Sequence, residues 1–418
     1  VWETLKNAWR LEDLRRKIIY TLGMLLVFRI GSFIPIPGID HQYLNQMLEQ
    51  GGLLAFFDII SGGSFGNFTI FAMSITPYIN SSIIMQLLTV AIPSLEKLAK
   101  EGEEGRKKIA QYTRYLTVVL AFVQALAITY GLKNIVVDKR FFSYFVVALT
   151  LTAGTAFLMW LGEQITEKGI GNGISLIIFA GIVARLPMTV ITMSSSIKAG
   201  ALSIWTVPLL IIGAVALVAA VIFVNEGERR IPVQYAKRVV GRRMYGGQST
   251  HLPIKVNSGG VIPIIFAMSI LTLPQTLSLF WPNSGIGKWF ERYFAPNSGL
   301  YLLLYALLII LFTYFYAQIT FNPIEISDNL RQYGGFIPGI RPGRPTAEYL
   351  ARISSRITLA GALFLAAVAI VPAIFTSGTG VPLYFGGSAV LIVIGVALET
   401  MKQLEAQMLM RHYKGFLK

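Results

Sequence analysis

The side chains that could do chemistry are few and scattered. His41, His251 and His412 stand alone, without a second ligand at metal-binding spacing, and none completes an obvious triad. There is no cysteine, so disulfides, thiolate nucleophiles and thiolate-held metals or iron-sulfur clusters are excluded. The glycine run Gly169-Ile170-Gly171-Asn172-Gly173 resembles a phosphate-cradling loop, but no strand precedes it and no Lys-Ser/Thr pair follows at Walker spacing. It reads as a turn entering a helix. The expectation is a non-enzymatic chain with no catalytic residues, no cofactor and no metal.

The elements that hold these residues explain the scarcity. Of 418 residues, 54% are hydrophobic and 14% charged, against roughly 25% charged in an ordinary soluble protein. Charge-free runs at 115–132, 141–162, 169–184, 199–225, 256–287 and 293–324 each read as one membrane crossing. A first span, 18–34, contains only Arg29, placed near its end where it can snorkel outward. The 37 uncharged residues between Asp58 and Glu96 divide at the glycine-rich 61–67 into a short stub and a full span. The 42 uncharged residues of 357–398 are about twice the ~20 that one helix needs, with a turn at Thr376-Ser377-Gly378-Thr379-Gly380-Val381-Pro382. The fold class expected is all-α and polytopic, with ten transmembrane helices.

Ten crossings leave both termini on one side, and the basic residues choose the side. Of 36 Lys and Arg, 28 fall in the segments on the side of the termini and seven on the other, with Arg29 inside a span. The positive-inside rule makes both ends cytoplasmic. The net charge of +15 therefore needs no nucleic acid to explain it. The opening segment, 1–17, is too polar for a cleavable signal, and its lack of an initial Met reads as a trimmed or processed start.

Five spans per half force the halves to enter the membrane in opposite senses. The expected division is a cytoplasmic segment 1–17, a first half 18–190, an external hinge 191–203, a second half 204–404 and a cytoplasmic tail 405–418. Phe71-Ala72-Met73-Ser74-Ile75 recurs letter for letter as Phe266-Ala267-Met268-Ser269-Ile270, a hint of that internal symmetry. An inverted repeat also suits an ion-coupled secondary transporter. Such proteins bury Asp, Glu or His near the midplane, whereas Glu163 and Glu399 here sit at span ends. The transporter is disfavoured, as is a passive membrane scaffold.

Two features exceed what crossing a membrane requires. The stub at about 53–64, including Leu53, Phe56, Phe57, Asp58, Ile59, Ile60, Ser61, Gly62 and Gly63, is too short to span. It either lies at the interface or folds back as a plug shielded by neighbouring helices. Two cytoplasmic loops, 226–255 and 325–356, are long and basic. The first holds Arg229, Arg230, Lys237, Arg238, Arg242 and Arg243; the second sets Arg341 and Arg344 among prolines and glycines. Length and Pro/Gly punctuation make them docking sites for a large partner.

Several long stretches carry a resemblance over essentially the whole chain. They are ITPYINSSIIMQLL (75–88), KEGEEGRKKIAQYTRY (100–115), KGIGNGISLIIFAGI (168–182), RRIPVQYAKR (229–238), QSTHLPIKVNSGGVIPIIFA (248–267), FIPGIRPG (336–343) and LYFGGSAVLIVIGV (383–396). The chain closely resembles the SecY family, the central subunit of the bacterial protein-conducting channel. That resemblance implies two inverted five-helix halves around a central pore, which passes unfolded secretory polypeptides and releases transmembrane segments sideways into lipid.

The same resemblance implies a pore ring of Ile75, Ile79, Ile174, Ile178, Ile265 and Ile392, and a plug formed by the stub. Ile75 with Ile79, and Ile174 with Ile178, are i to i+4 pairs that share a helical face. It further implies a lateral gate that reads signal sequences, with Asn80, Ser81, Gln86 and Asn257 as candidates; ordinary interhelical hydrogen bonding suits those four equally well. The implied partners are SecE, SecG, the SecA motor ATPase, the ribosome, the translocated polypeptide and membrane lipids, with no nucleic-acid substrate. Arg341 is the expected critical contact, and the bacterial plasma membrane the expected location.

Overall fold

A computed structural model describes residues 2–40, 44, 58, 61–132, 135–198, 206–235, 238–240, 243–245, 249–278, 284–295, 298–379 and 387–415. The chain forms two compact units, one of residues 1–203, 268–303 and 392–418 and the other of residues 204–267 and 304–391. In chain order the first helices are α1 (Trp2–Arg10), α2 (Glu12–Gly31), α3 (Thr76–Ala91), α4 (Pro93–Lys100), α5 (Glu103–Gly131), α6 (Phe141–Lys168), α7 (Gly173–Ala184) and α8 (Leu186–Lys198). There follow α9 (Thr206–Glu226), strands β1 (Glu228–Tyr235), β2 (Arg238–Val240), β3 (Arg243–Tyr245) and β4 (Ser249–Lys255), α10 (Ile262–Ser278), α11 (Gly285–Tyr293) and α12 (Gly299–Thr320). The last elements are α13 (Pro323–Gln332), β5 (Gly335–Phe336), α14 (Arg344–Thr379) and α15 (Gly387–Gly415).

Among the described residues a helix stands at each expected crossing, and six are long and apolar enough to span, or seven when α3 and α4 count together. Their surfaces suit lipid. Phe141 is 86% exposed and Phe223 81%, a burden in water but the ordinary contact of a membrane helix. The chain is thus a multi-pass membrane protein. Between α3 and α4 the axis turns by 100°, because Pro93 disfavours a helical conformation at Ile92, which is extended (φ −107°, ψ 115°).

In the first unit, α5 and α6 pack through small residues such as Ala121, Ala125 and Ala148, which let backbones approach where lipid gives no hydrophobic drive. Buried threonines return their hydroxyls to the preceding turn, as Thr117 Oγ1 does to the Thr113 carbonyl (2.7 Å) and Thr152 Oγ1 to that of Ala148 (2.7 Å). Ala8, Leu14, Ile170 and Leu404 form a smaller core joining α1, α2, the glycine run and α15.

Span two departs from the expected boundary. Its helix begins only at Thr76, and residues 61–75 form successive turns. Phe65, Phe68 and Phe71 are each 1% exposed, and Phe71 stacks between Phe28 of α2 (6.1 Å) and Phe157 of α6 (6.0 Å). The turns satisfy their backbone by reaching outside themselves: Ile36 N–H donates to the Phe68 carbonyl (3.0 Å) and Ile70 N–H to that of Ile34 (3.1 Å). Phe68 (φ 40°) and Ser74 (φ 53°) occupy the left-handed region, at a cost of about 1–3 kcal/mol each. The two copies of the repeated pentapeptide consequently differ, since 71–75 is a run of turns and 266–270 lies inside α10.

Three further differences are local. Residues 186–198, which overlap the expected hinge, are helical. The helix of span nine runs through Thr379, into the expected turn. An otherwise helical chain also carries a sheet in the order β4-β1-β5 and a β2-β3 hairpin. Alternate burial of Ile231 and Val233 along β1 gives that sheet its inner face.

A β-carbon added at Gly154 would lie 1.9 Å from the Ile70 carbonyl oxygen, whereas one at Gly213 would meet nothing within 4 Å. Gly154→Ala is therefore expected to lower stability by about 1–3 kcal/mol through overpacking, and Gly213→Ala to leave it unchanged. Thermal melting of the purified protein in detergent checks both.

Candidate functional site

The structure brings the second end of the stub together with two arginines. Asp58 is 8% exposed, and its carboxylate pairs with Arg185, which follows the last turn of α7. The other carboxylate oxygen accepts the Gly66 N–H (2.6 Å), and the Asp58 carbonyl accepts the Gly63 N–H (3.0 Å) and the Ser61 hydroxyl (3.2 Å). Arg29 donates to the Gly62 carbonyl (3.3 Å) and lies over the Phe33 ring at 4.6 Å. It serves the turn rather than snorkelling away. Leu53, Phe56, Phe57, Ile59 and Ile60 lie outside the described residues, as do Lys237 and Arg242.

The six ring isoleucines sit on four helices. Ile75 (1% exposed) caps α3 and Ile79 (7%) lies one turn on, its N–H bonded to the Ile75 carbonyl at 3.1 Å. Ile178 (4%) lies on α7, Ile265 (5%) on α10 and Ile392 (1%) on α15, and Ile174 of α7 is half-buried. None faces outward. The glycine run positions α7 as a turn should: Asn172 Oδ1 accepts the N–H groups of Ile174 (3.1 Å) and Ser175 (3.3 Å), a side-chain N-cap.

The four polar candidates of the lateral gate fall in two places. Asn80 and Ser81 are buried on α3, the Ser81 hydroxyl donating to the Pro77 carbonyl (2.8 Å) and the Asn80 amide lacking a partner. Gln86 Nε2 reaches the Ser82 hydroxyl at 3.4 Å. Asn257 lies before α10 and donates to Asn225 Oδ1 of α9 (2.7 Å) and to the Gly260 carbonyl (2.9 Å). Glu163, which the transporter reading would need free, is paired with Arg114 of α5 at 2.9 Å.

The two basic loops form one body. Gln234 and Tyr235 of β1 pair with Phe336 and Gly335 of β5, while β1 runs antiparallel to β4 from Glu228↔Lys255 to Gln234↔Ser249. Ile231, Val233, Ile254, Ile337 and Leu350 close a core beneath the sheet. Arg229, Arg230, Arg341 and Arg344 are exposed on this body, and Arg238 and Arg243 begin β2 and β3. Arg341 is presented between Gly339 (φ 83°) and Gly343 (φ 97°), and its carbonyl accepts the Thr346 hydroxyl at 2.8 Å. Arg344 pairs with Glu348 at 3.3 Å.

A multi-pass helical protein with a buried irregular turn, isoleucines buried on four helices and an exposed basic body has the fold of a protein-conducting channel. A solved SecY structure, described as having a plug domain that stabilises the closed state and maintains a membrane seal, matches with a TM-score of 0.68 at 20% identity over 94% of this chain and 92% of that one. Sec61 in the canine ribosome-channel complex matches with a TM-score of 0.65 at 20% identity and the same coverage. The protein translocase subunit SecY of Halalkalibacterium halodurans is 50% identical over the full length of both chains. With residues 69–401 also matching the SecY family model, the chain belongs to the SecY family and is a protein-translocation channel subunit. The transporter alternative gives way.

Ile231 is 2% exposed in the core that both loops share. Ile231→Asp places an unpaired charge there, at a cost of several kcal/mol. Limited proteolysis is expected to cut 226–255 and 325–356 together in that variant and neither in Arg229→Ala.

Proposed function

We propose that Ile75, Ile79, Ile174, Ile178, Ile265 and Ile392 form the waist of the channel and that segment 53–64 is its plug. The supporting observation is that five of the six isoleucines are buried and Ile174 half-buried, in a chain with aromatics such as Phe141 and Phe223 open. A ring of aliphatic groups excludes hydrated ions by dewetting. It also parts around a moving polypeptide without asking for specific hydrogen bonds, which suits a conduit for many sequences. The two inverted halves lie on either side of this waist, with the seam near Asn80, Ser81, Gln86 and Asn257 opening toward lipid.

The chain carries no Walker-type motif, so energy comes from a partner or the membrane potential. The basic body receives the SecA motor or the ribosome, and SecE and SecG complete the assembly in a bacterial plasma membrane with both termini cytoplasmic. The ribosome-bound Sec61 relative supports the docking role, as does the exposure of Arg229, Arg230, Arg341 and Arg344.

A stalled secretory chain is expected to crosslink to probes at Ile79, Ile178 and Ile265, and replacing all three with Gly to raise resting ion conductance several-fold. Absence of both effects would remove these residues from the waist. Arg341→Glu is expected to cut motor-driven transport by about tenfold, equivalent to about 1.4 kcal/mol, with the complex still assembled. Normal transport by that variant would refute docking through Arg341.

A further inference from the structure

Arg185 has no role in the waist, the gate or the docking body, yet it is the counter-charge of a buried carboxylate 127 positions away. Its place is favourable for a cation, because the carbonyls ending α7 point toward it. Its partner is fixed from the other side. Asp58 holds the Gly66 N–H with its second oxygen, and its own carbonyl gathers Gly63 and Ser61, so Asp58 is the hub of the turns 61–66.

That turn presses on α7. A β-carbon at Gly62 (φ +67°) would fall 2.6 Å from Gly181 Cα, and one at Gly63 would fall 3.7 Å from Arg185 Nε. Only backbone lies between the turn and the helix at Gly62, so the turn can shift only by breaking the ion pair or moving α7. Arg29 adds a second, weaker hold from α2 through the Gly62 carbonyl.

We infer that the Asp58–Arg185 ion pair is the latch that holds Asp58 and the turns 61–66 against α7 and keeps the plug seated, with Arg185 a positioning residue for the closed channel. The inference rests on the reading of 53–64 as a plug. Removing Arg185 leaves the buried Asp58 carboxylate uncompensated, the costly one-sided loss in such pairs, and removing Asp58 takes away the anchor that holds the half-buried Arg185 to the turn. The seated state then loses its advantage while the waist is untouched. The Asp58 carboxylate also faces the Gly66 N–H, so Asp58→Asn keeps size and weakens only the charge.

The test measures resting ion conductance of the assembled channel complex in planar bilayers. Arg185→Gln and Asp58→Asn are each expected to raise it about tenfold, while Arg185→Lys stays near the parent. The double variant is expected to conduct no more than the worse single one, because both changes break the same contact. Deletion of 53–64 serves as the reference for an absent plug. If the deletion leaks and the single variants do not, the latch is overturned and the plug reading stands. Additive conductance in the double variant also overturns the latch. A deletion that leaves conductance at the parent level overturns the plug reading, and the latch falls with it. A merely structural role for Arg185 would lower the melting temperature and yield without raising conductance, which likewise overturns the inference.

Discussion

No backbone N–H or C=O can go unpaired in hydrocarbon, and most of this architecture follows from that constraint. Helices meet it by themselves. Residues 61–75 do not form one, so their polar groups must be met by Ile34, Ile36 and their own turns, and lipid must be kept away from them. The surrounding pack does this. Three phenylalanines fill the inner side of the turns, and Gly154 of α6 opens a place for the Ile70 carbonyl. This non-helical stretch is packed by α2, α5 and α6.

Electrostatics obey the same rule. Among the described residues two ion pairs join elements far apart in the chain, Arg114 with Glu163 and Asp58 with Arg185, while Arg29 is held by the Gly62 carbonyl and the Phe33 ring. The exposed Arg229, Arg230, Arg341 and Arg344 gather on the one body that the two basic loops build.

Much of this was legible in the sequence. Charge-free runs located the crossings because lipid penalises charge at every depth, and the glycine run 169–173 marked the turn into α7 because such a turn is a local feature. Residues 68–75 were not legible. Phe71-Ala72-Met73-Ser74-Ile75 has the same letters as a true helical segment at 266–270, so only its tertiary neighbours decide its shape. The sheet was obscured because Ile231 and Val233 give a period of two over only three positions, amid charge. Arg29 reads as a snorkelling cation, and nothing in the sequence singles out Arg185, since each finds its partner far along the chain. The long-range pairs carry no sequence signal of their own.

The short pairing of β1 with β5 has a mechanical consequence. β1 follows α9 almost at once, β4 leads into α10, and β5 lies between α13 and α14. A load applied to either long loop is thus shared by the roots of four helices. Force on the sheet is transmitted to α9, α10, α13 and α14 at once.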